Sequence, residues 1–185
     1  MAQVIDNLWI SGDDGPKDSQ WMSAHKIRLV VDCRDVSNVI VCVEQGDVLP
    51  AVVRVGMRDD DRVITNGYSI SKRIARLEKG SIAIQCALER GDAVLVHCMS
   101  GINRSAFVIA WYLMTRATPP SSYQAALSTL AQANKPRDLP VLINGAFCYF
   151  LIMHAEKKDD DDIHSKFANA LGMMPNRPAL GCPNK

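Results

Sequence analysis

The residue pattern predicts an α/β fold, a mostly parallel central sheet of four to five strands flanked by helices on both faces. Three observations predict it. Short runs rich in Val and Ile alternate along the chain with segments whose apolar residues recur at helical spacing. The run Ala93-Val94-Leu95-Val96 is apolar throughout, as a parallel strand buried on both faces requires. Residues 104–116 are apolar nearly all round, so that helix should lie centrally in the core.

The elements follow in order. Val4 to Gly12 reads as a short strand pair ending at the glycine. Asp18 to Lys26 reads as a short helix, and Ile27 to Asp32 as a compact apolar strand. Residues 38–47 are ambiguous, and Val39 to Val43 fit either an extra strand or a short helix. Val52, Val53 and Val55 mark another strand before the acidic turn Asp59-Asp60-Asp61. From Tyr68 to Arg90, Ile70, Ile74, Leu77, Ile84 and Leu88 keep helical spacing, with Gly80 weakening the middle and Gly91 a terminator. After the buried helix, Pro119-Pro120 ends the connection, and Ser121 or Ser122 caps a helix to about Ala133. A last helix is expected from Leu139 to Lys157. Residues 1–157 then form one domain, and 158–185, with Asp159 to Asp162 followed by Gly, Pro and Asn, read as a mobile, solvated tail.

Composition narrows the function. Of 185 residues 48% are hydrophobic, enough for a sizeable core, and the net charge is +1. No basic stripe marks a nucleic-acid partner. The start of the chain has no signal-peptide character, and no apolar run reaches the length of a membrane span. The six cysteines are scattered without a C-x-x-C pair, which argues against a zinc site. The expectation is a reducing, cytoplasmic compartment, the nucleus included.

The chemistry concentrates in one loop, Val96-His97-Cys98-Met99-Ser100-Gly101-Ile102-Asn103-Arg104-Ser105. It joins the buried strand to the buried helix, at the carboxyl edge of the sheet where open α/β sheets bind ligands. Successive amides there can curl into an anion-binding nest, and the helix N-terminus adds unpaired donors and partial positive charge. Gly101 and Asn103 are best able to adopt the backbone angles of such a curl. An oxyanion held by residues 99–104 would touch the Cys98 sulfur. The same field lowers a thiol from a pKa of ~8.5 towards roughly 3.5–7.5, so Cys98 is expected as a thiolate. Arg104 offers a planar fork for two oxyanion oxygens. Ser105 can donate a hydrogen bond to the sulfur, and His97 is expected to point back into the structure and fix the loop by hydrogen bonds.

The H-C-x5-R-S pattern, in the setting VLVHCMSGINRSAFVIAWYLM, resembles the signature of cysteine-based protein phosphatases of the dual-specificity type. VIDNLWISG is similar to that family's first strands, VVRVGMRDDD to its general-acid loop, and KPRDLPVLINGAF to the start of its last helix, with Asn144 and Phe147 in matching places. The resemblance covers about residues 4–155. It implies a protein-tyrosine-phosphatase-like fold, of the small, atypical type, and a phosphorylated protein as substrate. It also implies a two-step mechanism: Cys98 attacks phosphorus to form a phosphocysteine, and an aspartic acid protonates the leaving oxygen and then activates water. Asp59, two residues past Met57, best matches that acid, with Asp60 the alternative in the same triplet. Catalysis is therefore expected from Cys98, Arg104, Asp59 and Ser105, with Met99, Ser100, Gly101, Ile102, Asn103 and Arg104 binding substrate and His97 in support. Neither metal nor cofactor is required, since the cradle and Arg104 supply the positive field.

Other readings stand beside this one. A phosphoprotein-binding module without catalysis fits poorly with an intact Cys98 and Arg104, and a sulfur-transfer enzyme fits poorly with His97 and the Arg-Ser pair. Phosphoinositide phosphatases of this type tend to carry basic residues in the loop, which has none here before Arg104. Asn103 before the arginine occurs in RNA 5′-phosphatase relatives. Cys33 and Cys86 are candidate partners for an oxidised Cys98.

Overall fold

Strands β1 (Ala2–Ile5) and β2 (Leu8–Ser11) form an antiparallel hairpin. Asn7 sits at its turn with φ of 59°, a left-handed angle that Asn tolerates better than most residues. The computed structural model describes residues 1–35, 40–59 and 67–156. After the hairpin come helix α1 (Ser19–Ala24), β3 (Ile27–Asp32), β4 (Ala51–Arg54), α2 (Gly67–Glu89), β5 (Ala93–His97), α3 (Arg104–Thr115), α4 (Tyr123–Asn134) and α5 (Gly145–Glu156). The five strands make one sheet in the order β1-β2-β5-β3-β4, parallel at every pairing except β1 with β2.

The two faces of the sheet are covered unequally. Val94 and Val96 of β5 and Leu29 and Val31 of β3 belong to one large core with α2, α3, α4 and α5. Leu95, Ala93, Val30 and Ile27 face the other way, where, among the described residues, Met22 and Trp21 of α1, Trp9, Val41 and Val43 shelter them. All five residues of β5 are buried, as a continuously apolar central strand requires. Ser105 to Leu113 of α3 are buried too. Phe107 stacks on Phe147 of α5 at 4.3 Å, with the edge of Phe150 at 5.6 Å. Trp111 satisfies its ring donor on Glu78 at 2.9 Å.

Several boundaries differ from the sequence expectation. Helix α2 runs through Gly80 as one element, and α3 and the residue after β4 come close there: a Cβ would lie 2.9 Å from Val108 and 3.1 Å from Val55. Residues 40–50 form neither strand nor helix. Ser122, not Ser121, caps α4, accepting from Ala125 N at 3.2 Å. Helix α5 starts at Gly145 rather than Leu139. Leu142 N is committed to the Ile102 carbonyl at 2.9 Å, and the Asn144 side chain caps the amides of Ala146 and Phe147. Residues 138–144 thus form a strap across the 98–103 loop. The tail and its acidic run at 159–162 lie outside the described residues, as do Asp60 and Asp61. Among the described residues no helix is long and apolar enough to cross a membrane.

Candidate active site

Parallel register brings the site together. Ser11, His97 and Asp32 end β2, β5 and β3 side by side, and Arg54 ends β4 opposite Asp32. The segments beginning at Gly12, Cys33, Val55 and Cys98 therefore leave the sheet at the same carboxyl edge. That is how Asp13, Arg34 and Asp59, remote in sequence, come to surround one loop.

The loop curls as expected, and its turn depends on Gly101. Gly101 has φ of +72°, and a Cβ there would lie 2.7 Å from the Ser11 carbonyl and 2.8 Å from Arg137 Nη1. Only glycine meets both demands. Its amide donates to Cys98 Sγ at 3.3 Å, and Ser105 Oγ lies 3.3 Å from the same sulfur. Cys98 is 1% exposed, at the base of the curl. Burial alone would raise the thiol's pKa. The Ser105 hydroxyl and the amides of Ser105, Gly101 and Ser100 outweigh burial and hold it below the usual value. Asn103 precedes α3 but does not cap it: its Oδ1 accepts from Asn144 N at 3.1 Å, which leaves the first helical amides facing the loop. Met99 is exposed at the rim, while Gly101 is buried and Ile102 and Asn103 are half-buried.

Arg104 opens α3 and folds towards the 57–59 segment. Its Nη1 donates to the Met57 carbonyl at 3.5 Å, and its Nε lies 3.4 Å from Asp59 Oδ2. That distance permits charge attraction, but Nε makes no aligned hydrogen bond among the described residues. Asp59 is 40% exposed, at the solvent margin of the site. Cys98, Arg104, Ser105 and Asp59 are thus gathered at one place.

His97 departs from expectation in one respect. It points inward and is fully buried, yet neither ring nitrogen finds a hydrogen-bond partner among the described residues. Nε2 lies 3.4 Å from Asp32 Oδ1, but Arg34 already holds that carboxylate, Nε to Oδ1 at 2.9 Å and Nη2 to Oδ2 at 3.3 Å. Burial pushes the imidazole down to about 4, so it is neutral near pH 7. His97 therefore steadies the loop through packing and its backbone, whose carbonyl accepts from Cys33 N at 2.9 Å.

Sequence reasoning missed the ionic cluster beneath the loop, buried at Asp32 and Arg34 and reaching solvent at Lys17. Asp32, Arg34, Asp13 and Lys17 pair in series, and Asp13 N donates to the Met99 carbonyl at 3.0 Å. The available signal was an aspartate ending an apolar strand with an arginine two residues on, a short-range pattern with many uses. Asn134 and Arg137 were also missed. Of the cysteines, Cys86 is exposed on α2, whereas Cys33 is buried within charge range of Cys98, its thiol pushed well up by burial first and by Cys98 second.

Comparison with known proteins agrees with this architecture. A family model described as the dual specificity phosphatase catalytic domain matches residues 8–163. Mouse dual specificity protein phosphatase 22 is 24% identical over 117 residues, covering 62% of this chain and 55% of that protein. The chain thus spans about half the length of that curated relative. The crystal structure of human DUSP28 superposes with a TM-score of 0.64 at 22% identity, covering 93% of this chain and 98% of the other. A mouse putative dual specificity phosphatase complexed with zinc tungstate gives 0.65 at 24% identity, over 84% and 86%. Both structures share the fold. The family match runs from β2 to beyond the end of α5, and on that extent the chain belongs to the dual specificity phosphatase family.

Proposed function

We propose that this chain is a protein phosphatase of the small, atypical type, hydrolysing phosphotyrosine and phosphoserine or phosphothreonine through a phosphocysteine at Cys98. The observation that carries the reading is the sulfur itself: it is buried against the amides of Ser100, Gly101 and Ser105 and hydrogen-bonded to the Ser105 hydroxyl, while Arg104, next along the chain to Ser105, lies 3.4 Å from Asp59.

In the first step the Cys98 thiolate attacks phosphorus in line with the ester bond. The P–O bond breaks as the P–S bond forms, and the Asp59 carboxylic acid passes its proton to the departing oxygen. Arg104 and the inward amides hold the three equatorial oxygens as charge spreads over them. In the second step the Asp59 carboxylate takes a proton from water, whose oxygen attacks phosphorus. The P–S bond breaks, inorganic phosphate leaves, and the sulfur departs as a thiolate that the Ser105 hydroxyl stabilises. A partly exposed Asp59 suits a group that exchanges protons with both the leaving group and water.

Neutral residues at 99–103, with Met99 54% exposed and Ile143 of the strap 64% exposed, favour a protein side chain over a polyanionic headgroup. The expected setting is a reducing compartment, cytoplasmic or nuclear, where the thiolate stays reduced. The test is turnover of p-nitrophenyl phosphate by wild type and Cys98→Ser, followed by phosphopeptides, phosphoinositides and 5′-phosphorylated RNA. Unchanged turnover in Cys98→Ser removes the mechanism. A preference for the lipid or the RNA removes the substrate class and leaves the chemistry.

A further inference from the structure

Every carbonyl from Met99 to Ile102 is taken up by a donor from outside the loop. Asp13 N serves Met99 at 3.0 Å, and Leu142 N serves Ile102 at 2.9 Å. The two between them depend on side chains at the end of α4 and just beyond it. Arg137 Nη2 donates to the Ser100 carbonyl at 3.0 Å and Nη1 to the Gly101 carbonyl at 3.5 Å. Asn134, fully buried, adds its Nδ2 to the Gly101 carbonyl at 3.3 Å and steadies Arg137 through Oδ1 at 2.9 Å. In a planar trans peptide, an outward carbonyl turns the following amide inward. Holding Ser100 and Gly101 outward therefore aims the amides of Gly101 and Ile102 at the anion site. The Gly101 amide is seen there, on Cys98 Sγ.

We propose that Arg137 is a positioning residue of the phosphatase: it holds the Ser100 and Gly101 carbonyls outward and sets a second positive charge behind the loop that favours the Cys98 thiolate. This rests on Cys98 being the nucleophile. Arg137 lies within charge range of that sulfur. Partial burial lowers its pKa, while Asp14 and Cys98 act the other way. Among the described residues, Cys33 after β3 and Arg137 after α4 lie within charge range of Cys98, and Arg104 of α3 lies within charge range of Cys33. Asp59 and Asp14 accompany the two arginines, and the cluster of His97, Asp32 and Arg34 lies behind the loop. Arg104 can bind the phosphoryl group directly. The Arg137 fork is occupied by carbonyls, so it acts through the loop.

The test uses the full chain and two variants, Arg137→Met and Arg137→Lys. Two readouts are followed: the pH dependence of Cys98 alkylation by iodoacetamide, measured by mass spectrometry, and kcat and KM for p-nitrophenyl phosphate. Arg137→Met should raise the alkylation midpoint by about half to one pH unit, through loss of a nearby cation. It should also lower kcat/KM roughly tenfold. Arg137→Lys keeps the charge but cannot span two carbonyls. Its midpoint should stay within about 0.2 unit of wild type while kcat/KM still falls several-fold. A folded Arg137→Met with the wild-type midpoint overturns the proposal. If that variant does not fold, Arg137→Lys decides, and wild-type kcat/KM there overturns it. Cys98→Ser, run alongside, separates the two claims: retained turnover defeats the nucleophile assignment, whereas a dead Cys98→Ser with unaffected Arg137 variants defeats only this inference.

Discussion

Replacing Ser105 with alanine isolates one of the forces that lower the pKa of the Cys98 thiol. The hydroxyl lies 3.3 Å from the sulfur, and the amides of Ser105, Gly101 and Ser100 remain after the change. A hydrogen bond to a charged group contributes about 1.5–3 kcal/mol. Sulfur is a diffuse acceptor and three donors persist, so the lower end applies. At about 1.36 kcal/mol per unit, the thiol should rise by about one pH unit. The sign is fixed: losing a donor disfavours the thiolate, so the acid limb of kcat/KM moves to higher pH. The second step should suffer more at neutral pH, because the thiolate must depart without its hydroxyl hydrogen-bond donor. A roughly tenfold slower breakdown of the phosphocysteine follows from the same energy. Rapid-quench kinetics with p-nitrophenyl phosphate should then show a burst of nitrophenol before a slow steady state. An unmoved midpoint with no burst would refute the assignment of Ser105, and with it the claim that side-chain donation sets the state of the sulfur.

Other expectations follow from named contacts. Asp59→Asn should cost about a hundredfold or more on alkyl phosphates and far less on aryl phosphates with good leaving groups, the scale of general-acid catalysis; equal loss on both would displace Asp59 from that role. His97, buried neutral with its pKa lowered to about 4, binds fewer protons folded than unfolded between about pH 6.5 and 4. Its contribution is whole above pH 6.5 and is lost as pH falls towards 4, up to roughly 3 kcal/mol, so urea midpoints should drop over that range and do so less in His97→Asn. Gly101→Ala should abolish turnover, since its Cβ would lie 2.7 Å from the Ser11 carbonyl at a left-handed φ; wild-type rates would show that the curl does not matter. Phe107→Ala removes a fully buried ring stacked on Phe147 and should lower stability by about 3–5 kcal/mol in urea denaturation.

Much of the architecture was legible because it depends on local periodicity. The apolar run at 93–96 and the all-round apolar helix after it can be satisfied only in the centre of a layered core, and there they are. Ile27 to Asp32 was read to the residue, since β-branched side chains bounded by a lysine and a cysteine leave little choice. The boundaries that moved were those decided by distant partners. Helix α5 begins late because Leu142 and Asn144 are held by the 102–103 stretch, about forty residues away in sequence. The need for glycine at position 80 is likewise set from a distance, because Val108 of α3 fills the space a side chain would occupy.

For the proposed site, residues 97–105 stand out from order alone, because a thiol, a curl, a cation and a helix start must be contiguous to act on one oxyanion. Spacing along nine residues of chain already constrains where their donors can point. The supports of that loop carried no comparable mark. Asp13, Asp32, Arg34, Asn134 and Arg137 come from three separate stretches of chain, and each is an ordinary polar residue until folding brings it to a carbonyl or a carboxylate. A hydrogen bond is decided within tenths of an ångström, and the chain between two remote partners sets no such distance before the core has packed.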